Sequence, residues 1–308
     1  MRRPALPLAA LAALVLLGGC TIGGSEPDPA APSTPAPTSA APSASPSASA
    51  SRSAAPDGPV ALALGDSLAA GYQPGGSERR DTAYPALAAA RVSQGGGELG
   101  VENLACSGET TGSLLDGGRC DYAEGSQLAA AEAFLRERGA DVRMVTLDIG
   151  GNDLLRCAAR LEVDAACAQE GVQTVEKNLP TILERLRSAA GPDVPVLVLG
   201  YYNPWLAASY LGTGEAQLAA AKTAYSDLDT AIEKATKAAG GRFVGLDAAF
   251  AFDDETPTTF NGREVPTNVA QVCTLTYICT AFDVHLTDEG AAVVGRVVAE
   301  AAEKAGVS

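Results

Sequence analysis

One histidine, one tryptophan and two methionines in 308 residues leave few ways to build a functional site. A zinc centre draws on several imidazoles or on closely paired thiolates, whereas here His285 stands alone and no Cys-x-x-Cys pair occurs, so a resident metal is set aside. Basic residues are also scarce: 22 Lys and Arg face 37 Asp and Glu, a formal charge of −15. A nucleic-acid binder needs a basic stripe to neutralise phosphates, and none is visible. The apolar run from Leu8 to Leu17 is too short to span a bilayer as a mature helix. With 46% hydrophobic, 19% charged and only 5% aromatic residues, the chain beyond its first sixty positions suits one soluble domain of about 250 residues.

The amino terminus has its own logic. Arg2 and Arg3, the apolar run and Gly18-Gly19-Cys20 follow the charged, apolar, small-residue order of an export signal over residues 1–19. Leu17-Gly18-Gly19-Cys20 resembles a bacterial lipoprotein signal, which implies cleavage before Cys20 and lipidation of its thiol; two or more acyl chains anchor a protein firmly where one holds only marginally. The rest of residues 20–58 is almost wholly Ser, Ala, Pro and Thr, with too little bulky apolar surface to offset the entropy of ordering it. It reads as a tether reaching between roughly 30 Å as a coil and roughly 100 Å as a polyproline rod. Export places the six remaining cysteines in an oxidising compartment. Six thiols allow 15 pairings; close spacing favours Cys106–Cys120, Cys157–Cys167 and Cys273–Cys279.

Over residues 59–308, apolar runs alternate with helical periodicity. Strands are expected at Val60 to Leu64, Gly100 to Leu104, Val142 to Ile149, Val194 to Leu199 and Arg242 to Leu246. Helices are expected from about Asp81 to Val92, Ser126 to Arg138, Gly171 to Ala189 with a kink or restart at Pro180, Glu215 to Ala239, and from a Thr287 cap to about Lys304. Residues 250 to 284 read as mainly loop. Such alternation specifies an α/β fold, a parallel sheet with helices on both faces and every strand's carboxyl end on one edge. Ligands sit at that edge in open sheets.

Three segments meet there. The first strand runs into Gly65-Asp66-Ser67, which leaves a hydroxyl at the strand end; the second leads to Gly108, the third to Gly150-Gly151-Asn152-Asp153. A serine is a poor nucleophile until a base takes its proton, and the sole histidine, just before the last helix, is the available base. Acyl transfer also needs donors for the oxyanion of the tetrahedral intermediate, each worth roughly 3 kcal/mol; the amides of Ser67 and Gly108 and the Asn152 side chain can supply them.

With these residues in this order, the chain resembles the SGNH (GDSL) hydrolases, serine esterases and lipases named for those four residue types. Gly65-Asp66-Ser67 matches the nucleophile motif, Gly108 the oxyanion glycine, Gly150-Gly151-Asn152-Asp153 the Gly-x-Asn-Asp motif and His285 the base, over about residues 60 to 305. The resemblance implies a flavodoxin-like three-layer α/β/α fold around a mainly parallel five-stranded sheet, hydrolysis of esters through an acyl-enzyme on Ser67, and no cofactor. The match departs beside His285: the family's aspartate three residues earlier is replaced by Phe282, and Asp283 stands two earlier. Either Asp283 or a backbone carbonyl is left to orient the ring. Leu286 replaces the family's following proline.

Each proposed bridge would fasten a loop that serves the site. Tyr201, Tyr202, Trp205 and Tyr210 offer walls for an acyl pocket, against the plainer role of packing. Asp253-Asp254-Glu255 reads as a solvated acidic turn rather than a calcium site, and Asp148 as a buried, hydrogen-bonded carboxyl. The expectation is thus a monomeric exported ester hydrolase, anchored to the outer face of the cell membrane through Cys20 or, with an ordinary secretory signal, secreted. O-acetyl polysaccharide esters, thioesters or lysophospholipids are alternative substrates of the same fold, and a non-catalytic envelope binding lipoprotein is the rival from another class.

Overall fold

The computed structural model describes residues 57–159, 162–212 and 214–307. The signal-type segment 1–19, Cys20 and all but the end of the tether lie outside the described residues. Five parallel strands form the central sheet: β1 (Val60–Gly65), β2 (Gly100–Asn103), β3 (Val142–Asp148), β4 (Val196–Leu199) and β5 (Arg242–Val244). Their spatial order is β2-β1-β3-β4-β5, the flavodoxin-like winding, whose direction reverses between β1 and β3.

Burial explains the strand sequences. All six residues of β1 are buried, because helices cover both faces of a parallel sheet and the strand needs no polar side. On one flank helix Tyr84–Ser93 packs against the final helix Asp288–Glu303. On the other, Gln127–Arg138, Ala165–Ala190 and Glu215–Ala238 pack together. Thr287 caps the final helix by accepting from the Gly290 amide at 3.1 Å.

The helix expected from Gly171 begins six residues earlier, at Ala165, where Asp164 caps it through the amides of Ala166 and Cys167. Pro180 neither restarts nor ends it. Pro180 and Glu176 both lie on the exposed face, so the Glu176 carbonyl that loses its partner is open to water. Residues 250–284, expected as loop, hold more structure: a hairpin of Pro257–Phe260 with Arg263–Pro266 and the helices Thr267–Leu275 and Ile278–Ala281. These elements are short and amphipathic over only a turn or two, too brief for periodicity to stand out. Disulfides join Cys106 to Cys120, Cys157 to Cys167 and Cys273 to Cys279. Among the described residues no helix is long and apolar enough to cross a membrane.

Candidate active site

The site lies where the winding reverses, at the carboxyl ends of β1 and β3. Gly65 closes β1 at φ +136°, and a Cβ there would collide with the Asp148 carbonyl, so only glycine permits the two strand ends to approach this closely. Asp66 then caps the short helix Ser67–Ala70, its Oδ1 accepting from the Leu68 amide at 3.0 Å. Ser67 is thereby fixed at a helix start with only 7% of its surface exposed.

His285 Nε2 lies 2.8 Å from Ser67 Oγ, and its Nδ1 lies 2.5 Å from Asp283 Oδ1. An ionised carboxylate only accepts, so Nδ1 carries the ring proton and Nε2 turns its lone pair to the serine hydroxyl. The same Asp283 oxygen accepts from the His285 amide at 2.9 Å. Phe282, at φ +53°, explains how an acid two residues away reaches the ring: the left-handed residue reverses the chain just before Asp283. Tyr72 covers the imidazole with ring centroids 4.3 Å apart.

Asn152 stands in the short helix Gly151–Leu155 after β3. Its Nδ2 donates to the Glu109 carbonyl at 2.9 Å and, more weakly, to Asp66 Oδ2 at 3.3 Å. Gly151 is required beside it, because a Cβ would lie 2.5 Å from the Tyr201 ring. Gly108 sits at φ +81° in the loop after β2, which the Cys106 amide pins to the Gly65 carbonyl at 3.1 Å. Asp153 takes the amide and hydroxyl of Thr111 at 2.9 and 2.8 Å, tying that loop's following helix to the Asn152 segment.

Residues 63–293 match the family model described as the GDSL-like lipase/acylhydrolase family. The chain belongs to that family. It is a serine hydrolase acting on ester bonds. Among solved structures, this GDSL hydrolase is similar to the extracellular lipase of Streptomyces rimosus, with a TM-score of 0.52 and 23% identity, over 79% of this chain and 99% of the lipase. It is also similar to the lipase/acylhydrolase of Enterococcus faecalis, at 0.47 and 16% over 80% and 96% of the two chains. The phospholipase A1 of Streptomyces albidoflavus gives 0.44 and 23% over 70% and 94%. A comparison with curated protein sequences finds no match.

Two residues beside the GDSL hydrolase's site, Gln127 and Glu109, carry no sequence signal of their own. Gln127 holds the Gly65 peptide, and Glu109 receives Gln127 Nε2 at 3.0 Å while its other carboxyl oxygen has no partner among the described residues. Burial pushes the Glu109 carboxyl up from its usual range. Asp148 is fully buried between the Tyr84 hydroxyl, 2.6 Å away, and the Asp66 amide, 3.2 Å away. Desolvation, then the Asp66 charge, raise its carboxyl well above the usual carboxylate range. Tyr201 donates to Asp66 Oδ2 at 2.7 Å.

Of the four aromatic residues expected as pocket walls, Tyr201 and Tyr202 line a cleft beside Ser67. Trp205 instead packs on Tyr225, and Tyr210 on Phe260 and Arg263. In the acidic turn, Asp254 accepts from Thr256 and Glu255 pairs with Lys222 at 3.0 Å. Among the described residues no group of three or more His, Cys, Asp or Glu is arranged to hold a metal ion.

Proposed function

We propose that the protein is an extracytoplasmic carboxylesterase or lipase working through an acyl-enzyme on Ser67, with His285 as base and Asp283 as its orienting acid. The observation that carries this reading is the unbroken run from Asp283 Oδ1 through both ring nitrogens of His285 to Ser67 Oγ, at 2.5 and 2.8 Å. His285 Nε2 takes the hydroxyl proton as Oγ bonds to the ester carbonyl carbon. Asp283 stabilises the imidazolium without taking its proton. The oxyanion is met by the amides of Ser67 and Gly108 and by Asn152 Nδ2. The long 3.3 Å bond of Asn152 to Asp66 is the one readily exchanged for the oxyanion, while the bond to Glu109 keeps the amide aimed. His285 returns its proton to the leaving alkoxide as the carbon–oxygen bond breaks, and a water repeats the sequence to free the acid.

Three disulfides support an exported protein, since such bonds persist in oxidising compartments. The Cys20 signal motif adds a lipid anchor on the outer face of the cell membrane to that reading. Incubation with a fluorophosphonate probe and with nitrophenyl esters of graded chain length tests the catalytic assignment. Labelling at Ser67, and loss of labelling and turnover in Ser67→Ala, are expected; an active Ser67→Ala enzyme would overturn it. Mass spectrometry of Cys20 from the native host tests the anchor, which a free thiol there would refute.

A further inference from the structure

Arg119 is an exposed arginine between the helices Thr111–Asp116 and Gln127–Arg138, and its Nε donates to the Ser107 carbonyl at 2.8 Å. Ser107 and Gly108 are the central residues of a tight turn, closed by the Glu109 amide donating to the Cys106 carbonyl at 3.0 Å. With Gly108 at φ +81° and Ser107 outside the left-handed region, the turn is of type II. A trans peptide is planar, so the one between them turns its carbonyl to Arg119 and its N–H, the Gly108 amide, the opposite way. We propose that Arg119 is a positioning residue for the oxyanion: through the Ser107 carbonyl it fixes the direction of the Gly108 amide and strengthens that amide as a donor. This role rests on the Ser67 mechanism proposed above.

One hydrogen bond has two effects here. Type I and type II turns differ by a flip of the central peptide, which reverses its N–H. A donor held on the carbonyl side stabilises one of the two orientations. The charged donor also draws electron density toward the carbonyl oxygen, and hydrogen bonds in a chain polarise one another, so the N–H becomes a better partner for negative charge. An ester oxygen carries a partial charge and the tetrahedral oxygen a full one. The gain therefore falls on the transition state rather than on bound substrate.

Arg119 and Ser107 are also fastened together. The Cys106–Cys120 disulfide joins the residue before Ser107 to the residue after Arg119, so the bridge and the hydrogen bond tie the same two loop segments. On its other side Ser107 Oγ donates to Glu78 Oε1 at 2.6 Å, and Glu78 pairs with Arg80 at 2.7 Å. The guanidinium lies against Gly108 itself: a Cβ there would stand 2.6 Å from Arg119 Cζ and 2.7 Å from Nε. Glycine at 108 thus serves Arg119 as well as the turn. The Arg119 charge reaches the buried Glu109 carboxyl next door, which burial pushes up and which Arg119, after the bonds to Ser113 and Gln127, pulls back down.

The test compares the full chain with its Arg119→Ala variant on nitrophenyl butyrate and against two inhibitors, trifluoromethyl pentyl ketone and methyl pentyl ketone. Ser67 Oγ adds to the carbonyl carbon of the fluorinated ketone, its proton passing to His285 Nε2 and the carbonyl electron pair to oxygen, so the adduct carries the oxyanion. The methyl ketone binds without adding. Loss of a whole oxyanion donor costs about 10²–10³ in kcat, whereas Arg119→Ala keeps the donor and loses only its partner; kcat is expected to fall about tenfold with KM within about twofold. The inhibition constant of the fluorinated ketone should rise about tenfold as well, and that of the methyl ketone stay within about twofold. A kcat within about twofold of wild type, a loss confined to KM, or equal weakening of both ketones would overturn the proposal. Those outcomes leave the Ser67 mechanism standing. A wild-type enzyme that bound both ketones equally, with no adduct at Ser67, would remove that mechanism and the Arg119 role together.

Discussion

Gln127 and Gly65, 62 residues apart, pair through two hydrogen bonds: the Gly65 amide donates to Gln127 Oε1 at 2.6 Å, and Gln127 Nε2 donates to the Gly65 carbonyl at 2.9 Å. A side-chain amide here does what a neighbouring strand would do, fixing the peptide that leads into Asp66 and Ser67. The same Nε2 reaches Glu109, so one residue joins the nucleophile turn to the loop that bears Gly108. Gln127→Ala leaves the buried Gly65 amide unpartnered and is expected to lower stability by about 1–3 kcal/mol. It should also reduce kcat more than it raises KM, because a loosened turn misplaces the nucleophile without removing a cleft wall. Urea denaturation and nitrophenyl butyrate kinetics check both; a stable variant with unchanged kcat would show that Gln127 is dispensable.

Asp283 separates two arrangements of the base. A backbone carbonyl orienting His285 would make the side chain unnecessary, but Asp283 Oδ1 lies against both Nδ1 and the His285 amide. Asp283→Ala is therefore expected to lower kcat on the order of 10²–10³-fold with little change in KM, because the lost group acts on the imidazolium of the transition state. Asp283→Asn should fall by a similar factor, since its amide can present a donor to Nδ1 and invert the tautomer. Rates within about twofold of wild type in both variants would return the role to a main-chain oxygen.

The parallel sheet, its helices and the nucleophile, asparagine and histidine segments are readable because each is a local pattern: an apolar run, a helical stripe, or a short motif at a strand end. Spacing favours the Cys pairs because loops of 6 to 14 residues close easily. Gln127 and Glu109 are not readable, since their importance is a contact between segments far apart in sequence and neither type is unusual on a helix or in a loop. Asp148 is visible as a carboxyl inside an apolar strand, but its partners Tyr84 and Asp66 come from two other segments. The two-residue spacing of Asp283 looks like a mismatch in one dimension; the left-handed Phe282 backbone, which residue type does not announce, reconciles it.

Asp148 tests whether the buried carboxyl beneath the nucleophile turn is neutral. Desolvation and the Asp66 charge raise it, so a neutral amide should stand in for it. Asp148→Asn keeps an acceptor for Tyr84 and is expected to retain stability within about 1 kcal/mol. Asp148→Ala strands the Tyr84 hydroxyl and opens a void, costing about 2–4 kcal/mol, while the Asp66 amide keeps the Asp148 main-chain carbonyl at 3.2 Å. Chemical denaturation at pH 7 distinguishes them. If the asparagine variant were as damaged as the alanine variant, Asp148 would be ionised in the native enzyme.

Asp229 makes the fold respond to pH. It is largely buried behind the site, where its Oδ1 accepts from the Tyr201 amide at 2.8 Å, and Asp247 and Glu233 share its cavity. Desolvation first, then those two charges, push it up to about 7, against the lowering effect of the Tyr201 amide. In the unfolded chain the group ionises near 4, so between about pH 4 and 7 the native state binds the extra proton. Stability from this group is therefore full at low pH, declines as pH rises through that window, and is lowest above 7. Asp229→Asn keeps the acceptor for Tyr201 without the charge. The variant should be more stable than wild type at pH 8, by on the order of a few kcal/mol, with the advantage vanishing toward pH 4. Thermal denaturation of both proteins from pH 4 to 9 measures the difference; an advantage that did not grow with pH would mean Asp229 ionises in the native state as it does in the unfolded chain.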